Sequence, residues 1–115
     1  MTKASVIAAR QRVGLSLLVD RERTRQPALL NAHLLDCSRD EIQLRLAAPL
    51  ALGERIRVRL RDESSGLQLD VAGVVTTRRD ESPSGWSAVC RFDHELDWET
   101  LGELFLCGIL ETVPR

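Results

Sequence analysis

Aromatic residues are nearly missing from this chain of 115 residues: two Trp, two Phe and no Tyr, 3% in all. A sheet that reads RNA stacks bases on aromatic rings, so this scarcity argues against such a surface and requires an aliphatic core. Net charge is scarce too. The formal value is −1, with 16 basic and 17 acidic residues, so no field draws in a nucleic acid polymer or a membrane surface. The cysteines (Cys37, Cys90 and Cys107) form an odd set without CxxC spacing, which excludes a disulfide framework or a zinc site and leaves reduced thiols. Only two histidines occur, His33 in an apolar run and His94 between Asp93 and Glu95. No G-x-S-x-G elbow, phosphate loop, dinucleotide fingerprint or H-E-x-x-H is present, so the chain does not read as an enzyme and no cofactor is implied. No apolar run approaches membrane-spanning length, and that in the opening MTKASVIAAR is too short for a signal peptide. A cytoplasmic location is the expectation.

What is present is alternation broken by turn chemistry. The length fits one domain, 1–115, and 43% hydrophobic with 29% charged residues is a globular composition. In 54–61, ERIRVRLR, Ile56, Val58 and Leu60 alternate with four arginines, the period of a half-buried strand. Asp62-Glu63-Ser64-Ser65-Gly66 then turns the chain into LQLDVAGVV. A four-residue loop, 63–66, sets Leu60 opposite Leu69, Val58 opposite Val71, Arg59 opposite Asp70 and Arg61 opposite Gln68. A slip of one residue would mix the two faces. A second turn, 80–85, separates VAGVVTTRR from GWSAVCRF, and VGLSLLVD, PALLNAHLLD and EIQLRL supply three further strands. Six short strands without intervening helices predict a mainly all-β fold, an antiparallel six-stranded β-barrel or a sandwich. The period changes near the end: Asp97 is a good N-cap, and Trp98, Leu101, Phe105 and Ile109 fall on one side of a helix over 97–111. Leu106 and Leu110 spill past that stripe, which fits either a helix tucked deeply across the barrel or a second contact, with a homodimer mate or a partner protein.

Two clusters gather polar groups without a structural need. One is Arg10-Gln11-Arg12, ahead of the first barrel strand. The other is Asp36-Cys37-Ser38-Arg39-Asp40-Glu41, between an apolar run and an alternating one. Arginine forks onto phosphate or lies on a base, and a carboxylate accepts from guanine N–H groups, so the pair suits an anionic nucleotide. For Asp36 and Ser38 the alternative is a turn in which both side chains cap strand ends.

The order of these elements resembles the PilZ domain family from about Arg10 to Leu110. Arg12 matches the second arginine of its R-x-x-x-R motif, Asp36-Cys37-Ser38 the start of D-x-S-x-x-G, Pro49-Leu50-Ala51-Leu52-Gly53 the "plG" turn, Arg91-Phe92 the strand ending, and 97–110 the helix. The resemblance implies a six-stranded barrel (13–93) behind a flexible arginine-bearing segment (1–12). It also implies a bacterial receptor for the second messenger cyclic di-GMP, held here by Arg10, Arg12, Asp36 and Ser38, that signals to a partner. Two positions depart from the pattern: Ala8 stands where the first arginine belongs, and Glu41 replaces the glycine. A left-handed backbone at 41 would cost a non-glycine residue about 1 kcal/mol, and a carboxylate there repels an anion. A module that has lost the nucleotide and works by protein contact therefore stands beside the receptor reading.

Overall fold

The computed structural model describes residues 5–9, 14–22 and 29–114. Its strands are β1 (Ser5–Ala9), β2 (Leu15–Arg21), β3 (Leu29–Cys37), β4 (Glu41–Leu46), β5 (Arg55–Asp62), β6 (Gln68–Asp80) and β7 (Trp86–Phe92); helix α1 (Trp98–Leu106) and strand β8 (Leu110–Pro114) complete it. Strands β2 to β7 close an antiparallel barrel in the order β2-β3-β4-β7-β6-β5. The six-stranded barrel with a C-terminal helix expected from the sequence is therefore the fold. The β5–β6 hairpin has the expected register, with Val58 opposite Val71, Arg59 opposite Asp70, Leu60 opposite Leu69 and Arg61 opposite Gln68.

The alternating apolar residues fill the barrel. Leu17, Val19, Leu34, Ile42, Leu44, Leu46, Ile56, Val58, Leu60 and Val75 are each under 5% exposed, an aliphatic core as the shortage of aromatics demands. Gly73 marks the tightest seam. A β-carbon there would lie 2.1 Å from the Arg91 carbonyl oxygen and 2.8 Å from Cys90 Sγ, so only glycine lets β6 and β7 approach. The arginines of β5 stay outside and are largely neutralised. Arg55 forks onto Asp93 at 2.5 and 3.2 Å, while Arg57 and Arg59 lie 3.5 and 3.9 Å from Asp70.

The C-terminal region departs from the reading of the sequence. The helix stops at Leu106 rather than running to 111. Gly108, at φ 75°, donates to Phe105 O (3.0 Å) and Ile109 to Leu104 O (2.9 Å), the paired bonds of a Schellman stop. Ile109 and Leu104, the apolar contact that accompanies this stop, are both fully buried. Apolar periodicity runs through the glycine and hides it. Beyond it, β8 pairs antiparallel with β1 to form a separate two-stranded ribbon, an element absent from the sequence reading. Leu110 is thus a strand residue, 1% exposed, and not part of an open helix face. Gly108→Ala forces an L-residue into the left-handed region and is expected to lower stability by about 1 kcal/mol, read as a lower midpoint in urea.

Candidate functional site

Asp36 reaches the barrel's outer surface through a bulge. Along β3, Ala32 and Leu34 point inward, and strict alternation would send Asp36 into the core. The β3–β4 register shifts between Leu34 and Asp36, with Leu35 the extra residue, so Cys37 turns inward instead (1% exposed) and Asp36 pairs with Gln43. One oxygen of Asp36 accepts from the Cys37 N–H at 2.7 Å; the other has no partner among the described residues. Burial, with a smaller push from the Asp36 charge, raises the Cys37 thiol to about 12, and burial raises Cys90 to about 11. Neither is a thiolate near neutral pH, so a disulfide reagent at pH 8 is expected to leave both untouched until the protein is denatured, with half-buried Cys107 reacting first.

Ser38 is held inside the turn. Its hydroxyl donates to Asp40 Oδ1 (2.8 Å) and accepts from the Glu41 N–H (3.3 Å), while its own N–H donates to Glu41 O (2.9 Å). The two motif residues thus have different situations: Asp36 offers an open acceptor, and Ser38 is already used as a turn cap. Glu41 begins β4 opposite Arg91, and no non-glycine residue among those described has positive φ. The backbone at 41 does not call for glycine, so the substitution matters through its exposed carboxylate alone.

Pairing carries these residues across one outer face. One row runs Asp36–Gln43–Val89–Thr77 and the next His33–Arg45–Ser87–Arg79 over β3, β4, β7 and β6. A polar cavity of about 380 Å³ opens on this face, lined by Gln43, Thr77, Arg79, Glu81, Ser87 and Val89. That volume falls in the range of small-ligand pockets. Arg45 Nε is buried here and has no hydrogen-bond partner among the described residues. The sequence reading missed Arg45 and Arg79. Each looks like an ordinary surface arginine on a strand, and only the lateral pairing places them on the outer face that carries Asp36, Arg45 one strand away and Arg79 three. Arg10 and Arg12 lie outside the described residues.

Arg39, in the middle of the cluster, faces away from the cavity. Its Nε donates to Leu96 O (2.8 Å), its Nη1 lies 3.5 Å from Glu95, and its guanidinium sits 4.2 Å over the Trp98 ring. Two backbone bonds, Leu96 N–H to Arg39 O (2.7 Å) and Phe92 N–H to Asp40 O (2.9 Å), tie the same turn to the approach of α1. Asp97 caps that helix by accepting from the Thr100 N–H at 2.7 Å. Hydrogen bonding from the Thr100 side chain, then this backbone bond, with a smaller contribution from Arg39, hold its carboxyl below the usual range. The turn that presents Asp36 is therefore fastened to the start of the C-terminal helix.

The PilZ domain family model matches residues 8–106, most of the chain and all of the barrel. The chain belongs to the PilZ domain family. PilZ domains are binding and adaptor modules, generally not enzymes. Curated proteins and solved structures gave no match. In this PilZ domain the Asp36–Glu41 turn, the arginine-bearing face of β4, β6 and β7, and the fastening through Arg39 are what the fold places together. Among the described residues no helix is long and apolar enough to cross a membrane, and no cluster of His, Cys, Asp or Glu could hold a metal ion.

Proposed function

We propose that this PilZ domain is a bacterial, cytoplasmic receptor for cyclic di-GMP that passes the ligand's presence to a partner protein. The observation that carries this reading is the outer face: a polar cavity lined by Gln43 and Arg79, with Asp36, one carboxylate oxygen of which has no partner among the described residues, paired to Gln43, and Arg45 two residues further along β4. A doubly anionic purine dinucleotide complements such a face, because guanidinium groups take its phosphates or stack on its bases and a carboxylate accepts from guanine N–H groups. In this reading Arg10 and Arg12 supply the phosphate contacts, Asp36 and Ser38 the edge of the guanine, and Arg45 a further donor. A shift of the Asp36–Glu41 turn on ligand binding reaches α1 through Arg39. The test is an isothermal titration of cyclic di-GMP into the protein and into its Arg12→Ala variant. Saturable heat that the variant loses supports the reading; no heat from the parent at excess ligand sinks it.

The second reading is a PilZ scaffold that acts by protein contact alone. Ala8 and the exposed Glu41 carboxylate favour it, and so does Leu106, 88% exposed on α1. It predicts a silent titration together with a partner interaction that Leu106→Arg removes.

A further inference from the structure

Helix α1 buries Leu104 and rests Leu101 and Phe105 against the core, yet leaves Trp98 70% and Leu106 88% exposed. With Gly102 these two occupy i, i+4 and i+8, one line along the helix, with the outer residues about 12 Å apart. Gly102 leaves a gap between them, and a β-carbon added there would meet nothing within 4 Å. Large apolar side chains at both ends and bare backbone in the middle make a groove that admits another helix closely. Trp98 is also held ready, because Arg39 lies over its ring and so less side-chain freedom is lost on binding.

The flank of the groove says what fits it. Between Arg91 and Arg115 the chain carries six acidic residues and neither lysine nor arginine. Within this stretch Asp93 is paired with Arg55 and Glu95 lies near Arg39, but exposed Glu99 and Glu103 make no ion pair among the described residues. At 100° per residue they follow Trp98 and Gly102 along one side of the apolar line. A second copy docking helix to helix would bring the same uncompensated carboxylates to the contact, and its Arg39, over Trp98, is already engaged by Leu96 O and Glu95.

We propose that the Trp98–Gly102–Leu106 face of α1 docks an amphipathic helix of a partner protein, one whose apolar stripe is flanked by lysine or arginine. This deepens the adaptor reading by naming the chemistry of the partner. Its geometry does not depend on nucleotide binding. Leucine side chains of the partner seat on Gly102 between the two anchors, and its basic flank meets Glu99 and Glu103.

The probe is a fluorescein-labelled 18-residue peptide with a leucine stripe and lysine flanks, read by anisotropy against the full chain, beside the same peptide with glutamate flanks. The lysine peptide is expected to bind saturably and the glutamate peptide not to bind. Leu106→Glu and Gly102→Leu should each weaken binding at least tenfold with the thermal melt preserved, since both positions are open, while Leu29→Glu on another exposed surface leaves it unchanged. The double variant Glu99→Gln/Glu103→Gln keeps the apolar line and should erase the preference between the two peptides. It also serves as the test should either groove variant fail to fold. Equal affinity for the parent and Gly102→Leu would overturn the proposal. So would a parent that elutes as a dimer, binds neither peptide and becomes a monomer with Leu106→Glu, which makes a second copy the occupant. Cyclic di-GMP titrated into Gly102→Leu should behave as in the parent. A silent nucleotide titration with intact peptide binding therefore defeats the receptor reading alone.

Discussion

Replacing Arg21 with alanine is expected to cost about 3 kcal/mol of stability and to lower the melting temperature by roughly 12 °C. Glu54 is only 5% exposed, and its carboxylate takes Arg21 Nε at 2.5 Å and Nη2 at 2.8 Å along with the Ala51 N–H at 2.9 Å. The pair joins the end of β2 to the turn at 49–53, which in turn bonds to β6 through Gly53 N–H to Val75 O and Val75 N–H to Glu54 O. Removing the guanidinium leaves a carboxylate out of water without its main counter-charge, and that penalty exceeds the value of the bond itself. Arg21 keeps 27% of its side chain exposed, so solvent screens part of the effect and the estimate sits at the low end for buried pairs. Arg21→Lys retains the charge but not the fork and should fall between. The double variant Arg21→Met/Glu54→Leu should regain part of the loss. A thermal melt of Arg21→Ala superimposing on that of the parent would show that screening dominates.

The β5–β6 hairpin was legible because two constraints agree: apolar alternation fixes which side faces in, and 62–66 fixes where the chain turns. The same agreement yields all six barrel strands. Where one signal masks another, the sequence misleads. Gly108 is a good helix stop, but Phe105, Ile109 and Leu110 continue an apolar period across it, and the stop is visible only through its bonds to Leu104 and Phe105. The bulge at Leu35 is similar. Leu34-Leu35 carries no turn residue, and the extra residue shows only in the pairing with β4. The D-x-S positions were legible as a corner, but not the division of labour within it, which depends on Asp40 capturing the Ser38 hydroxyl. Arg39 was hidden for a different reason. Its partners, Leu96 and Trp98, lie almost sixty residues away, and no local pattern announces them.

That division of labour yields the second large effect. Asp36→Ala is expected to weaken cyclic di-GMP binding by about 10-fold to 100-fold, the usual worth of a hydrogen bond to a charged group. Ser38→Ala should weaken it less and instead cost about 1 kcal/mol of stability, because the hydroxyl's bonds lie within the turn. Glu41 acts in the opposite sense. Its backbone is extended, so restoring the family's glycine relieves no strain, whereas removing its carboxylate removes repulsion toward an anion. Glu41→Ala should therefore tighten binding about as much as Glu41→Gly, a few-fold, with the gain shrinking as salt is raised. Tightening by glycine but not by alanine would place the effect in the backbone. An Asp36→Ala variant that binds as the parent does would remove the turn from the ligand site, leaving it to fasten the barrel to α1 through Arg39.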